Sequence, residues 1–101
     1  KELKSAELYY NVGQYRAAAI AYTALINNYP DSPKSDEYKL MIIKSYYKYA
    51  ELSIDEKREE RFSKVVDEIH DFQDRYPESK LLKEAERFLS LSSNNIKPTS
   101  K

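Results

Sequence analysis

The stretch GQYRAAAIAYTALINNYP, residues 13–30, decides the fold of this chain because it contains a turn, a helix and a stop. Gly13 is the only glycine of the chain, and glycine tolerates the positive φ that closes one helix and opens a tight turn. Pro30 cannot continue a helix and disfavours helical backbone at the residue before it. Between Gly13 and Pro30, apolar residues recur at the spacing expected for a helix with one buried face. They are Ala18, Ala21, Tyr22, Leu25, Ile26 and Tyr29.

The same pattern returns later in the chain, where Pro77 follows Pro30 by 47 residues. The residues around the two prolines also agree, with YPDS at 29–32 and YPES at 76–79. An internal repeat of helical units predicts a solenoid of stacked helix pairs. The second apolar stripe consists of Phe62, Val65, Val66, Ile69, Phe72 and Tyr76.

The repeated unit is similar to a known repeat family. It resembles the second half of a tetratricopeptide repeat, a helix-turn-helix unit of about 34 residues. Within that superfamily, the chain resembles the C-terminal part of the BamD family, the periplasmic lipoproteins of the outer-membrane β-barrel assembly machine. Three blocks carry this resemblance: residues 13–32, residues 46–62 with the sequences YYKYAELS and KREERF, and residues 72–86. The tetratricopeptide spacing is that of Gly13, Tyr15, Ala18, Tyr22, Leu25 and Pro30.

The resemblance implies a function as a protein-interaction scaffold. In that family the C-terminal repeats dock POTRA domains of the barrel-assembly pore protein and accessory lipoproteins, and they meet unfolded outer-membrane clients. The implied location is the periplasmic face of the bacterial outer membrane, with a lipid-bearing cysteine far upstream of the matched region. A peptide-binding periplasmic adaptor, such as a Tol-Pal-associated coordinator, shares the Tyr-Pro-x-Ser ends and is the alternative. The long second repeat of this sequence distinguishes the assembly-machine family from the Tol-Pal-associated coordinator.

The amino-acid composition of the chain excludes or disfavours several classes of function. The chain has 17 basic and 17 acidic residues, so bulk charge favours neither nucleic acid nor a membrane surface. It has 10 tyrosines and 3 phenylalanines although 34% of its residues are charged, and this content of aromatic residues favours a folded chain over a disordered one. The absence of cysteine excludes disulfides, thiol catalysis and thiolate metal sites. No apolar run approaches the roughly 18 residues of a transmembrane helix.

These patterns predict an all-α tetratricopeptide-repeat solenoid of two antiparallel helix pairs and a C-terminal capping helix. The domain is expected to span residues 1–91, and the polar residues 92–101 to form a disordered tail. Asp55, and either Ser35 or Asp36, are the expected N-caps. Compared with a full repeat, the first helix lacks its first residues, so we expect the solenoid to continue N-terminally. The predicted helices cover residues 3–12, 15–28 and about 36–52, and a fourth helix follows the cap Asp55 and ends at about residue 75. The capping helix ends at about residue 91.

Residues suited to catalysis do not form a recognisable set. His70 is the only histidine and has no cysteine or second histidine for a metal site, so a surface or boundary position is expected. The chain has no glycine-rich loop to hold phosphate. We therefore predict no enzymatic activity, no cofactor, no metal and no small-molecule substrate. The acid pairs Asp67/Asp71 and Glu84/Glu86 are read as solvated faces, and Glu68 with Arg75 or Lys80 with Glu84 as ordinary helix pairs.

The predicted binding surface is the concave face, which is lined mainly by the first helix of each pair. Tyr10 and Tyr47 either anchor a partner or pack on adjacent helices, and the sequence leaves both readings open. Lys57 and Arg61 belong to a run of mixed charge that either solubilises a helix start or faces a partner. The concave positions expected to be exposed are Glu7, Tyr10, Asn11, Glu37, Leu40, Lys44, Tyr47 and Lys48. The predicted partner-binding residues are Tyr10, Glu37, Leu40, Lys44, Tyr47, Lys48, Lys57 and Arg61.

Overall fold

The structure, a computed structural model, describes residues 1–96, and this part of the chain is all-helical without a strand. The predicted all-α class is therefore confirmed, the second helix has the predicted bounds, and the fourth ends at the predicted residue. No helix in this part of the chain is both long and apolar enough to cross a membrane. The five helices are α1 (Glu2–Asn11), α2 (Tyr15–Asn28), α3 (Ser35–Glu51), α4 (Asp55–Arg75) and α5 (Leu82–Ser93).

Consecutive helices pack against each other in opposite directions. Asn28 at the end of α2 donates a hydrogen bond of 3.5 Å to Glu2 at the start of α1. Lys39 near the start of α3 lies 2.6 Å from the Asp71 carboxylate near the end of α4. Short connections between neighbouring helices favour this antiparallel arrangement.

The alternate helices α3 and α5 run side by side in the same direction. Ser79, just before α5, donates a hydrogen bond of 2.7 Å to Asp36 in the first turn of α3. Further along, Lys44 of α3 pairs with Glu84 of α5 at 3.0 Å. The contacts therefore advance along both helices together, as they do when one helix pair stacks on the next.

The two Tyr-Pro corners have the same backbone geometry. Tyr29 ends α2 with φ −133° and ψ 62°, and Tyr76 ends α4 with φ −129° and ψ 53°. In each corner the serine N–H donates to the tyrosine carbonyl, at 3.0 Å for Ser32 and 3.1 Å for Ser79. The sequence repeat is thus a repeat of structure.

The predicted turn at Gly13 is confirmed. Gly13 has φ 84°, and it is the only residue with a positive φ among those that the structure describes. This conformation lets the N–H of Gln14 donate to the carbonyl of Tyr9 at 2.8 Å, five residues back. Such a bond satisfies a carbonyl at the end of α1 that lacks an intrahelical partner.

Apolar side chains form two core clusters. The larger cluster lies among α3, α4 and α5, and the smaller one lies where α1 and α2 meet α3. The helix α3 contributes to both, as expected for a central helix with apolar residues on more than one face. The larger cluster contains Leu40, Ile43, Val65, Ile69, Phe72 and Ala85, and the smaller contains Ala6, Tyr22, Leu25 and Ile42.

The predicted N-caps are wrong. The capping positions are Lys34 before α3 and Ile54 before α4, so Ser35 and Asp55 are already the first helical residues. Ahead of α3, the hydroxyl of Ser32 accepts the Lys34 N–H at 3.1 Å, which places the stabilising side chain inside the turn. In α4, Asp55 still places negative charge in the first turn, where it opposes the helix dipole.

The expected disorder from residue 92 onward is wrong for the described part of the tail. The helix α5 runs to Ser93, and Ser92 is fully buried. Beyond the helix, the side-chain oxygen of Asn95 accepts hydrogen bonds from Arg58 of α4 at 3.2 and 3.3 Å. These contacts hold residues 92–96 against the folded helices. The rest of the predicted tail, residues 97–101, lies outside the described residues.

Candidate protein-binding surface

A groove of about 500 Å³ lies between α1 and α3. Its two walls come from these helices, and Tyr22 of α2 contributes from beneath. We call it the α1–α3 groove. Its lining residues are Leu3, Glu7, Tyr10, Asn11, Tyr22, Lys34, Glu37, Tyr38, Met41 and Lys44.

The groove combines apolar and aromatic surface with both signs of charge. Tyr22 is buried and its ring lies 6.3 Å from that of Tyr38, so the aromatic side chains support one another. Glu7 and Glu37 contribute negative charge, and Lys34 contributes positive charge. Tyrosine supplies a large contact area with a polar tip, so the surface suits a polypeptide with apolar anchors and flanking charges.

The phenols of Tyr10 and Tyr22 stay protonated near neutral pH. Burial raises the pKa of Tyr10, although the positive charge of Lys48 opposes it. Burial also raises the pKa of Tyr22, and the negative charge of Glu7 adds to this effect. Both hydroxyls can therefore act as hydrogen-bond donors and acceptors toward a bound chain.

Three of the predicted partner-binding residues come together in the groove: Tyr10, Glu37 and Lys44. The Tyr10 ring also packs edge-to-face on Tyr15, with ring centroids 5.2 Å apart, so it is both packed and accessible. Lys48 is exposed and does not line the groove, but its positive charge partly offsets the rise that burial causes in the pKa of Tyr10.

The expected exposure of Leu40 is wrong, because this side chain is only 6% exposed and belongs to the larger core cluster. Tyr47 does not line the groove either. Its ring packs edge-to-face on Phe62 at 5.6 Å and on Phe88 at 5.2 Å, which is the packing alternative that the sequence left open. Both residues lie on the side of α3 that α4 and α5 cover.

The two predicted residues on α4 lie away from the groove. Lys57 is exposed and lies 3.9 Å from Glu60 one turn further along. Arg61 places its guanidinium 4.2 Å from the ring centroid of Tyr49, at the end of α3. The predicted set of binding residues is therefore divided among a groove, a core and a separate surface.

A nearly buried lysine, which the sequence reasoning missed, links α3 to α4. Lys39 is 8% exposed, and its ammonium lies 2.5 Å from Glu68 and 2.6 Å from Asp71. Asp71 also binds Arg75 at 3.0 Å, and Lys64 binds Glu68 at 3.2 Å. Lys39 stands four residues before the buried Ile43, on the same helix face, and this spacing is the signal that would have identified it.

This network corrects the expected ion pairs. Arg75 pairs with Asp71 and not with Glu68, and Glu84 pairs with Lys44 of α3 and not with Lys80. Burial alone would raise the pKa of Asp71, but the hydrogen bonds and charges of Lys39 and Arg75 outweigh it and lower the pKa. The Asp71 carboxylate is thus part of a structural link and not a solvated acid pair.

The described residues include no group of three or more histidine, cysteine, aspartate and glutamate side chains arranged to hold a metal ion. His70 is exposed on α4, as expected for a surface position. No protein-family model matches this sequence. Comparison with curated proteins finds no match either.

Proposed function

We propose that this chain is a non-enzymatic scaffold for protein–protein interaction, built as a tetratricopeptide-repeat solenoid of two helix pairs and a capping helix. The repeated Tyr-Pro corners and the parallel course of α3 and α5 support this architecture. Stacked helix pairs of this kind use their concave surface to bind other proteins.

The α1–α3 groove is the observation that carries the functional proposal. It places Tyr10, Tyr22 and Tyr38 beside carboxylates and amines in one concave surface of about 500 Å³. Buried aromatic anchors surrounded by polar groups are the usual source of affinity in protein interfaces. The groove has the dimensions to receive a short segment of a larger partner.

The resemblance in sequence gives the proposal its cellular setting. In that setting, the scaffold is a component of the outer-membrane β-barrel assembly machine at the periplasmic face of the outer membrane. Its partners are POTRA domains of the pore protein, accessory lipoproteins and unfolded outer-membrane clients. A lipid anchor outside these 101 residues would attach it to the membrane.

The groove also favours a second candidate, a periplasmic adaptor that binds extended peptides, such as a Tol-Pal-associated coordinator. An adaptor would use the α1–α3 groove alone. An assembly scaffold would also use surfaces such as the start of α4, where Lys57 is exposed.

Calorimetric titration of the chain with the purified POTRA segment from the same source tests the leading proposal. We expect saturable binding, and we expect Tyr10→Ala to weaken it at least tenfold because an aromatic anchor is lost. Tyr9→Ala is the matched control, since Tyr9 precedes Tyr10 on α1 but does not line the groove. Its affinity should stay within about twofold of the unaltered chain.

Titration with short aromatic-rich peptides separates the two candidates. Peptide binding that Tyr10→Ala removes, without any POTRA binding, would replace the scaffold by the adaptor. POTRA binding that Lys57→Glu weakens, without peptide binding, would favour the scaffold. If Tyr10→Ala and Tyr9→Ala behave alike with every ligand, the groove is not the binding site. Tyr47→Ala is unsuitable for this test because Tyr47 packs on Phe62 and Phe88.

A further inference from the structure

A second pocket lies among α2, α3 and α4 and shares no residue with the α1–α3 groove. Its volume is about 430 Å³. Tyr46 and Tyr49 line it from α3, Arg16 lines it from α2, and Arg61 and Lys64 line it from α4. Three cationic side chains from two different helices therefore line one pocket with two tyrosine rings, and Arg61 and Lys64 lie over those rings. We call it the arginine pocket.

Arg61 is held in place but has no anionic partner in the described part of the chain. Its guanidinium stacks on Tyr49 at 4.2 Å from the ring centroid, and it donates a hydrogen bond of 3.2 Å to the Ser53 hydroxyl. That hydroxyl donates in turn to the carbonyl of Tyr49 at 3.0 Å. No carboxylate within residues 1–96 lies within 4.0 Å of the Arg61 guanidinium. A guanidinium carries five N–H donors, and one protein hydrogen bond leaves most of them available.

The other two cations of the pocket, Arg16 and Lys64, differ from each other in whether an anion pairs with them. Arg16 makes no ion pair or hydrogen bond with any side chain in the described part of the chain. Lys64 lies 5.4 Å from the ring centroid of Tyr46 and pairs with Glu68 at 3.2 Å, so its charge is already matched. Arg16 and Arg61 are therefore the two cations of the pocket that can pair with the anion of a partner.

We infer that the arginine pocket binds a carboxylate side chain, glutamate or aspartate, of a partner protein. The planar guanidinium fork matches the two oxygens of a carboxylate, and a stacked arginine loses little further freedom on binding it. Glu60 and Asp67 also line the pocket, so with Lys64 paired to Glu68 the two arginines and these two carboxylates carry no net formal charge. Without an excess of positive charge, the pocket favours a singly charged carboxylate over a phosphate dianion.

The inference rests on the proposed function only in that the carboxylate belongs to a protein. Anion binding by the pocket can be tested with a small peptide probe, whereas the proposed scaffold function needs a protein partner as the ligand. The probe is the tripeptide acetyl-Gly-Glu-Gly-amide, and its control is acetyl-Gly-Gln-Gly-amide, which has the same shape without the charge. Both are added at constant ionic strength while the Nε–Hε resonances of the arginines are followed by NMR.

The expected result is a saturable shift of the Arg16 and Arg61 resonances with the glutamate peptide and none with the glutamine peptide. Arg61→Gln should weaken binding at least fivefold. Arg16→Gln should weaken it severalfold, and this variant breaks no side-chain hydrogen bond or ion pair in residues 1–96. Arg87→Gln is the matched control, because Arg87 is an exposed arginine of α5 outside the pocket.

Three outcomes would overturn the inference. One is the absence of any arginine shift at millimolar glutamate peptide. Another is unchanged binding in both the Arg16→Gln and the Arg61→Gln variants. The third is a larger shift with inorganic phosphate than with the glutamate peptide, which would identify a phosphate site instead. Failure of the POTRA titration with success of the peptide titration would reject the proposed partner and keep the pocket.

Discussion

The two helix pairs bury equivalent positions but fill them with different side chains. Residues of α4 correspond to residues of α2 that lie 47 positions earlier, and the members of three such pairs are all buried. In α4 these positions hold two branched aliphatic side chains and a phenyl ring, whereas α2 has alanine, tyrosine and leucine. The pairs are Val65 with Ala18, Ile69 with Tyr22, and Phe72 with Leu25.

The two helix pairs also differ in what surrounds these positions. Val65, Ile69 and Phe72 of α4 pack with α3 and α5 into the larger cluster. All the ion pairs found within residues 1–96 also join residues between Lys39 and Glu84. The first pair contributes instead to one side of the α1–α3 groove, where Tyr10 is partly exposed and Tyr22 is buried. The second pair and α5 therefore hold the larger cluster and the ion pairs, and the first pair shares the groove with α3.

The largest effect is expected from truncating the core at the equivalent positions Phe72 and Leu25. Phe72→Ala should lower the free energy of unfolding by about 3–5 kcal/mol, because it leaves a large cavity in the fully buried cluster. Leu25→Ala should cost about 2–3 kcal/mol, since the smaller side chain leaves a smaller cavity. Urea unfolding followed by circular dichroism measures both. Equal losses at the two positions would contradict the expected difference in cavity size.

The next effect concerns the ionic link that only the second pair has within the described residues. Lys39→Met should cost about 2 kcal/mol at pH 7, because it leaves the Glu68 and Asp71 carboxylates without their shared cation. Urea unfolding at several pH values measures this loss, and Lys80→Met is the control because Lys80 is exposed.

The loss should shrink in acid. Lys39 lowers the pKa of Asp71 in the folded state, so the stabilisation is fully present above the unfolded pKa of about 3.9. It disappears as the pH falls through the lower folded pKa. The unaltered chain and Lys39→Met should therefore converge in stability below about pH 4. A difference that stays constant from pH 7 to pH 3 would show that Lys39 acts by packing alone.

The smallest effect concerns the two tight turns, which have the same length but different chemistry. Gln14 caps the Tyr9 carbonyl through its N–H, and this requires the positive φ of Gly13. In the second turn the Ser53 hydroxyl caps the equivalent carbonyl of Tyr49 at 3.0 Å, with no positive φ. The same unsatisfied carbonyl is thus capped by backbone in one pair and by a side chain in the other.

Gly13→Ala should cost about 1 kcal/mol, the strain of a Cβ at positive φ. A Cβ at this position would meet no atom within 4 Å, so the cost comes from the backbone alone. Thermal unfolding measures it, with Ala24→Gly on the exposed side of α2 as a control for general helix effects. No change in stability would mean that the first turn adopts another conformation without loss.

The sequence predicted local features well. The bounds of α2, the end of α4 and the turn at Gly13 depend on neighbouring residues, since glycine and proline restrict backbone angles at their own positions. The N-caps were mispredicted because several polar residues compete at each helix start, and Ser32 within the turn supplied the side-chain acceptor.

Predictions of exposure failed where they depended on the rotation of a helix. Tyr29 lies on the apolar stripe of α2, yet it is 54% exposed, while the equivalent Tyr76 packs on Phe72 at 5.3 Å. Leu40 was expected on the surface and is buried. Both outcomes depend on which neighbour covers a given side of the helix, and residue spacing does not contain that information.

The sequence by itself determined the helices, the turns and the repeat, because each follows from local backbone restriction and from apolar spacing within one segment. Only the tertiary structure decided which side of α3 faces α4 and α5 and which side opens into the groove. The physical reason is that α3 carries apolar residues on more than one face, so several rotations would bury similar area. Packing against Phe62 and Phe88 and the pairing of Lys39 selected one of them.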